Sequence, residues 1–386
     1  MKPELVYVIL LFALFVVPRF LLRFRIPTAI TEISLGVGAG LGLGWFQHDT
    51  TIMLLASLGI IALFLFAGLE VDLRTLASQR SVLLQHLLLR GVLLIGGTWL
   101  AGWMLGLGPR NSVLLSLALF TPSTGFILSS LPSLKFSKEE AIWVKTKAIS
   151  TEMLGLAVLF AVTQSATLPR LGLATLGLVA VIAILPLIFR GFAATIARYA
   201  PHSEFAFLLM LAVVCGYATR ELGVYYLVGA FVVGWAAGRF REGTPKAASE
   251  ELFRSVELFA SFFVPFYFFA AGLHLKAENF STSAFLYGAA FLAVGVPIRI
   301  FAVVLHRRLV LRESTAQGWR IGLSLSPTLV FCLVLAEIMR DNHGLAPELY
   351  GGLIIYALAS SLVPILLLRA QPAESDASIL DPPKII

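Results

Sequence analysis

Residues 139–162 read EEAIWVKTKAISTEMLGLAVLFAV, and the acid in their second half decides how the rest of the chain is understood. Past its charged start the stretch is apolar and long enough to cross a bilayer as a helix. At 1.5 Å per residue, Glu152 sits about 20 Å along that helix, near the bilayer midplane. A carboxylate there costs several kcal/mol unless it is paired, hydrated or protonated, so it marks a functional site by default. Thr151 offers a hydroxyl oxygen beside it.

The surrounding chain has the same character. Of 386 residues, 58% are hydrophobic and 13% charged, the composition of an all-α polytopic membrane protein. Apolar runs predict about thirteen transmembrane helices, at 5–22, 28–46, 51–71, 81–107, 111–131, 139–162, 171–190, 204–220, 223–239, 251–274, 283–305, 317–340 and 347–369. The first run, Leu5 to Leu22, is long enough to span, ends in Arg-rich sequence and lacks a small-residue cleavage site, so no cleaved leader is expected. The net charge of +7 comes from basic residues scattered through short loops, which argues for membrane orientation and against nucleic acid. Odd-numbered loops and the C-terminal tail hold 19 of the 29 Lys and Arg, the other side 6, and Arg90, Lys145, Lys147 and Arg299 lie inside spans. The expectation is a plasma-membrane protein (the inner membrane of a bacterium) with its N-terminus outside and its C-terminus in the cytoplasm. Loops this short leave no room for a soluble domain, and no cofactor is expected. Cys215 and Cys332 lie within apolar runs and read as small core residues.

Two spans are interrupted at their midpoints. Span five contains Thr121, Pro122, Ser123, Thr124 and Gly125; span twelve contains Ser324, Leu325, Ser326, Pro327 and Thr328. Proline removes a backbone donor and clashes with the preceding turn, so each span bends or unwinds there. With a first repeat at about 5–162, a connector at 171–190, a second repeat at 204–369 and a tail at 370–386, the two breaks fall at matching places. Such matched interruptions point to a transporter binding site.

Other buried charges have several readings. Arg299 needs an anion, for which Glu152 is the natural candidate, or it reaches the cytoplasmic interface or caps a helix end. Lys145 and Lys147 line a cytoplasmic funnel or snorkel to the membrane surface. Glu32 reads as structural, bonded to nearby backbone. Glu70 and Asp72 read as boundary residues, and Glu337 as solvated. No zinc-ligand pair or serine elbow suggests an intramembrane enzyme, and membrane histidines are nearly absent.

Together these features resemble the monovalent cation/proton antiporters of the second cation:proton antiporter superfamily, in its thirteen-helix bacterial sodium/proton branch. The resemblance is carried by Ile26 and Pro27 with Glu32 and Gly36, and by LGIIALFLFAGLEVDL at 58–73. GAFVVG at 229–234, PFYFFAAGL at 265–273 and GLSLSP at 322–327 extend it. It implies a homodimer with a dimerisation domain and a moving core domain, in which two discontinuous helices cross beside an acid pair. This chain departs from the pattern at the chemistry. It has Thr151-Glu152 where the family has Asp-Asp or Asn-Asp, Arg299 where many members have lysine, and Thr328-Leu329-Val330 where Arg-Gly-Glu often follows Ser-Pro.

The expected activity is exchange of Na⁺, Li⁺ or K⁺ for H⁺ by alternating access, since a proton and a bare cation compete for one carboxylate. Glu152 and Thr151 would hold the cation, helped by oxygens of Thr121, Ser123, Thr124, Ser326 and Thr328 around Pro122 and Pro327. Arg299 stays protonated where lysine can lose its proton, so a single acid predicts electroneutral one-for-one exchange. The rival reading is a locked Glu152–Arg299 pair in a sensor, an assembly subunit or a sodium-coupled organic-anion carrier.

Overall fold

The computed structural model describes residues 3–131, 134, 136–165, 167–197, 199–200, 203–221, 226–241 and 246–368. The expected tail at 370–386 lies outside the described residues. Among those described, the long elements are α1 (Pro3–Leu22), α2 (Thr28–Val37, prolonged by a π turn at Gly38–Gly42), α3 (Thr50–Leu69), α4 (Leu73–Ser78) and α5 (Arg80–Leu105). There follow α6 (Pro109–Phe120), α7 (Thr124–Ser130), α8 (Lys138–Gln164), α9 (Leu168–Thr195), α10 (Glu204–Glu221), α11 (Tyr226–Arg241) and α12 (Lys246–Leu273). The last are α13 (Thr282–Val310), α14 (Thr315–Ser324), α15 (Leu329–His343) and α16 (Pro347–Leu367).

Local chemistry fixes where these helices begin. The Asp49 carboxylate accepts the Thr51 and Ile52 amides at 2.9 and 3.0 Å and starts α3. Ser137 and Glu140 form a reciprocal capping box at the start of α8. Among the described residues each expected apolar run overlaps a helix or a pair of helices. By length and composition nine stretches of the described residues suit a membrane span, α6 with α7 counting as one, and the pair α14 and α15, bent by 48°, makes ten. The remaining runs hold shorter or more polar helices. α2 gives way to its π turn after 10 residues, α10 is charged at both ends, and the apolar part of α11 is Leu227–Arg239.

Packing sorts the helices into two groups. α1, α2, α3, α10, α11 and α12 pack together; α5, α6, α7, α8, α13, α14, α15 and α16 form the other group, and α9 touches both. The first group is held by backbone-to-backbone crossings. A Cβ at Gly36 would stand 2.1 Å from the Phe269 carbonyl oxygen, and one at Gly272 would stand 2.1 Å from that of Ile33. Only glycine allows α2 and α12 this approach, the usual way helices gain contact where lipid supplies no hydrophobic drive. Outward faces such as Ile95, Trp99 and Trp103 of α5 are exposed and apolar, suited to lipid.

A cavity of about 750 Å³ lies between the groups. Helices α1, α2, α3 and α12 form one wall; α7, the start of α8 and the segment between them form the other.

Some expectations need correction. His86 and His306 are both buried, against the expected near-absence of membrane histidines. Glu337 is half-buried rather than solvated. Glu70 does lie at the end of α3, but it pairs with Lys145 across the cavity and so bridges the two groups.

Candidate functional site

The site is built where α8 passes the two breaks. Residues 121–123 separate α6 from α7, and 325–328 separate α14 from α15. The interrupted segments meet directly, for the Ser123 amide donates to the Pro327 carbonyl at 2.8 Å. α8 comes close because residue 155 lacks a side chain: a Cβ there would lie 2.9 Å from Thr121 Cγ2 and 3.0 Å from Phe331 Cζ.

One turn before that contact, Glu152 is 4% exposed and its Oε2 accepts the Thr124 amide at 3.0 Å. Thr124 is the first residue of α7, and Ser123 before it makes no side-chain cap. Glu152 therefore caps α7 from another helix, where free amides and the helix dipole favour a negative charge. The Ser123 hydroxyl is left without a bond, and the Thr124 hydroxyl, though close to the carboxylate, makes none of ordinary geometry. The Glu152 carboxylate, the Thr124 hydroxyl beside it and the unbonded Ser123 hydroxyl are hard oxygens of the kind that suit a bare monovalent cation.

Arg299 does not pair with Glu152. Its guanidinium donates to the carbonyls of Leu325 (2.6 Å) and Ser326 (2.8 Å) and to the Tyr356 hydroxyl (3.3 Å). The break in span twelve frees those carbonyls, and they accept from the guanidinium fork in the place a carboxylate would otherwise take. Tyr356 in turn donates to the Leu119 carbonyl at 2.6 Å, just before the first break. Ser326 and Thr328 are also committed, to the Leu323 carbonyl at 2.7 Å and the Ser360 hydroxyl at 3.1 Å.

Residues 8–369 match the family described as "Sodium/hydrogen exchanger, transmembrane". The chain belongs to the sodium/hydrogen exchanger family. Among similar exchangers, the "Probable Na(+)/H(+) antiporter 3" of Methanocaldococcus jannaschii is 27% identical over 93% of this chain and 94% of its own length. A "Na(+)/H(+) antiporter" of Enterococcus hirae is 22% identical over 90% and 92%. The solved sodium proton antiporter MjNhaP1, also from M. jannaschii, superposes with a TM-score of 0.68 at 14% identity, covering 93% of both chains, and so shares the exchanger fold.

The structure separates the residues expected at this exchanger's site. Glu152, Thr121, Pro122, Ser123, Thr124, Pro327 and Thr328 are buried around the breaks. Thr151 does not join them. Its hydroxyl donates to the Lys147 carbonyl at 2.7 Å and lies 3.2 Å from His86 Nε2, because successive helical residues diverge by about 100°. Lys145 lines the cavity between the two groups. Lys147 does not: two residues on, it is fully buried with Nζ 5.6 Å from the Trp143 ring.

Lys147 joins a basic cluster unforeseen in the sequence. Arg90, His86, His306 and Arg307 surround it; Arg307 pairs with Glu313, and its guanidinium lies 5.5 Å from the same Trp143 ring. His86 and Arg90, four residues apart on α5, form one helical face, the only sequence signal that could have revealed the cluster. Tyr356 was missed too, since nothing in the sequence distinguishes a tyrosine that clamps two breaks.

Proposed function

We propose that this protein is a secondary transporter exchanging a monovalent cation (Na⁺, Li⁺ or K⁺) for H⁺, with Glu152 as the shared binding group. The observation that carries the reading is a buried carboxylate, unpaired with any cation among the described residues, held at the start of a broken helix beside the hydroxyls of Thr124 and Ser123, the latter without a bond. The proton and the cation then exclude one another at one site. The similar antiporters, named for Na⁺ and H⁺, support Na⁺ among these cations. The cavity between the two groups supports exchange, for one group carries Glu152 while the other serves as a frame for alternating access. The working unit is a homodimer in a bacterial inner membrane, N-terminus outside, with the cavity on the cytoplasmic side where Arg19 and Lys138 lie.

Exchange is electroneutral in this reading, because Arg299 is committed to carbonyls and remains charged throughout. The rival locked pair lacks its defining contact. Purified protein in vesicles with a trapped pH dye, challenged in turn with Na⁺, Li⁺ and K⁺, tests the proposal. Wild type should move protons and Glu152→Gln should not; a wild type silent to all three cations favours a non-transporting or organic-solute role. A clear current per cycle would exclude one-for-one exchange.

A further inference from the structure

Glu32 is the charged side chain of the cavity wall that its surroundings leave unexplained. It is 4% exposed on α2, yet it lines the cavity. The backbone bonds expected for it do not form: its carboxylate accepts no hydrogen bond and joins no ion pair among the described residues. The hydroxyls of Thr31 and Ser34 are committed within their own helix, to the carbonyls of Pro27 and Ile30, while Thr28 lines the cavity one turn before Glu32. Lys145 shares the cavity but pairs with Glu70, while Arg19, Lys138 and Glu257 are exposed. A buried ionised carboxylate without a partner costs several kcal/mol. Leucine would fill much the same volume without that cost, so the acid is protonated, hydrated through the cavity or met by a cation that arrives there.

We propose that Glu32 is a second cation-binding carboxylate, a vestibule site that takes a partly hydrated monovalent cation before it reaches Glu152. The far wall of the cavity includes Gly125 and Phe126, immediately after the Thr124 that holds Glu152. The space is far wider than a bare cation, so an ion at Glu32 keeps most of its water. Glu152 sits in the group opposite, so the two acids belong to different bodies and their separation changes if the groups move. Glu32 therefore raises the local cation concentration at the mouth of the site without taking part in the exchange itself, in the manner of clefts that focus charge.

The proposal rests on the reading of Glu152 as the transport site, and the test separates the two. Cation-driven proton movement is measured in vesicles against Na⁺ concentration for wild type, Glu32→Gln, Glu32→Asp and Glu152→Gln. Binding of radioactive sodium and rubidium to the purified proteins is measured alongside. Glu32→Gln should raise the KM for Na⁺ roughly five- to tenfold and leave the maximal rate near wild type; Glu32→Asp should recover part of the loss. Glu152→Gln should abolish exchange yet keep residual cation binding that disappears in the double variant. Unchanged KM in Glu32→Gln, or a fall in maximal rate alone, overturns the vestibule site. Residual binding in Glu152→Gln that survives loss of Glu32 overturns it also, including when no transport is seen. Normal exchange by Glu152→Gln sinks the reading of Glu152 and leaves the KM of Glu32→Gln to be judged by itself.

Discussion

Glu152 holds the place an N-cap side chain would take at the start of α7, and this double duty decides which substitutions are informative. Glutamine keeps an acceptor for the Thr124 amide while removing the charge, so Glu152→Gln should fold with a melting temperature close to wild type and lose activity at least a hundredfold. Glu152→Ala should in addition lose about 1–2 kcal/mol of stability by uncapping α7, seen as a lower melting temperature in detergent. Ser123 is different, since its hydroxyl is buried without a bond. Ser123→Ala should leave stability unchanged and weaken apparent cation affinity several-fold, read as KM; unchanged KM would remove Ser123 from the ligand set. At the membrane boundary, Asp72 accepts the Thr75 hydroxyl at 2.6 Å, which holds its carboxyl below the ordinary carboxylate range. A depressed folded pKa contributes stability above the unfolded value and loses it as pH falls through the folded one. The melting difference between wild type and Asp72→Asn should accordingly be present near pH 7 and fade below about pH 4.

Among the elements, the broken helices were legible because proline is punctuation the backbone cannot ignore: Pro122 and Pro327 mark both interruptions. What fills the freed backbone was not legible. A buried arginine signals the need for acceptors, but sequence does not distinguish a carboxylate from exposed carbonyls, and Arg299 found the carbonyls of Leu325 and Ser326. Helical phase explains the other misses. Thr151 and Lys147 share α8 with Glu152, yet their directions place them against His86 and Trp143. The clamp of Arg299 and Tyr356 implies a structural role with a measurable size. Tyr356→Phe forfeits the bond to the Leu119 carbonyl and leaves that acceptor unmet, an expected loss of about 1–3 kcal/mol, checked by thermal unfolding in detergent. Arg299→Lys cannot span both carbonyls and should lose more.

Across the whole molecule, the helix grouping was not readable in the sequence, because which spans pack together is a property of interfaces far apart in the chain. The Gly36 and Gly272 crossing shows why: a stripe of small residues announces a close contact without naming its partner. The ion pair of Glu70 and Lys145 is a bridge between the groups beside the cavity. Cysteines placed at both positions and joined by a short bifunctional thiol reagent should arrest exchange, with activity restored on reduction. Cys215 and Cys332 are buried and should stay unreacted. Full activity in the cross-linked protein would mean that the groups need not part there.

The bond from the Ser123 amide to the Pro327 carbonyl also bears on how the protein is made. Ser123 leaves the ribosome long before Pro327 exists, and at about 5–20 residues per second its amide waits for tens of seconds. An unmet amide in hydrocarbon costs several kcal/mol. During synthesis the first half must therefore remain shielded by the insertion machinery or by water, and nascent chains that stop short of residue 327 should be degraded quickly.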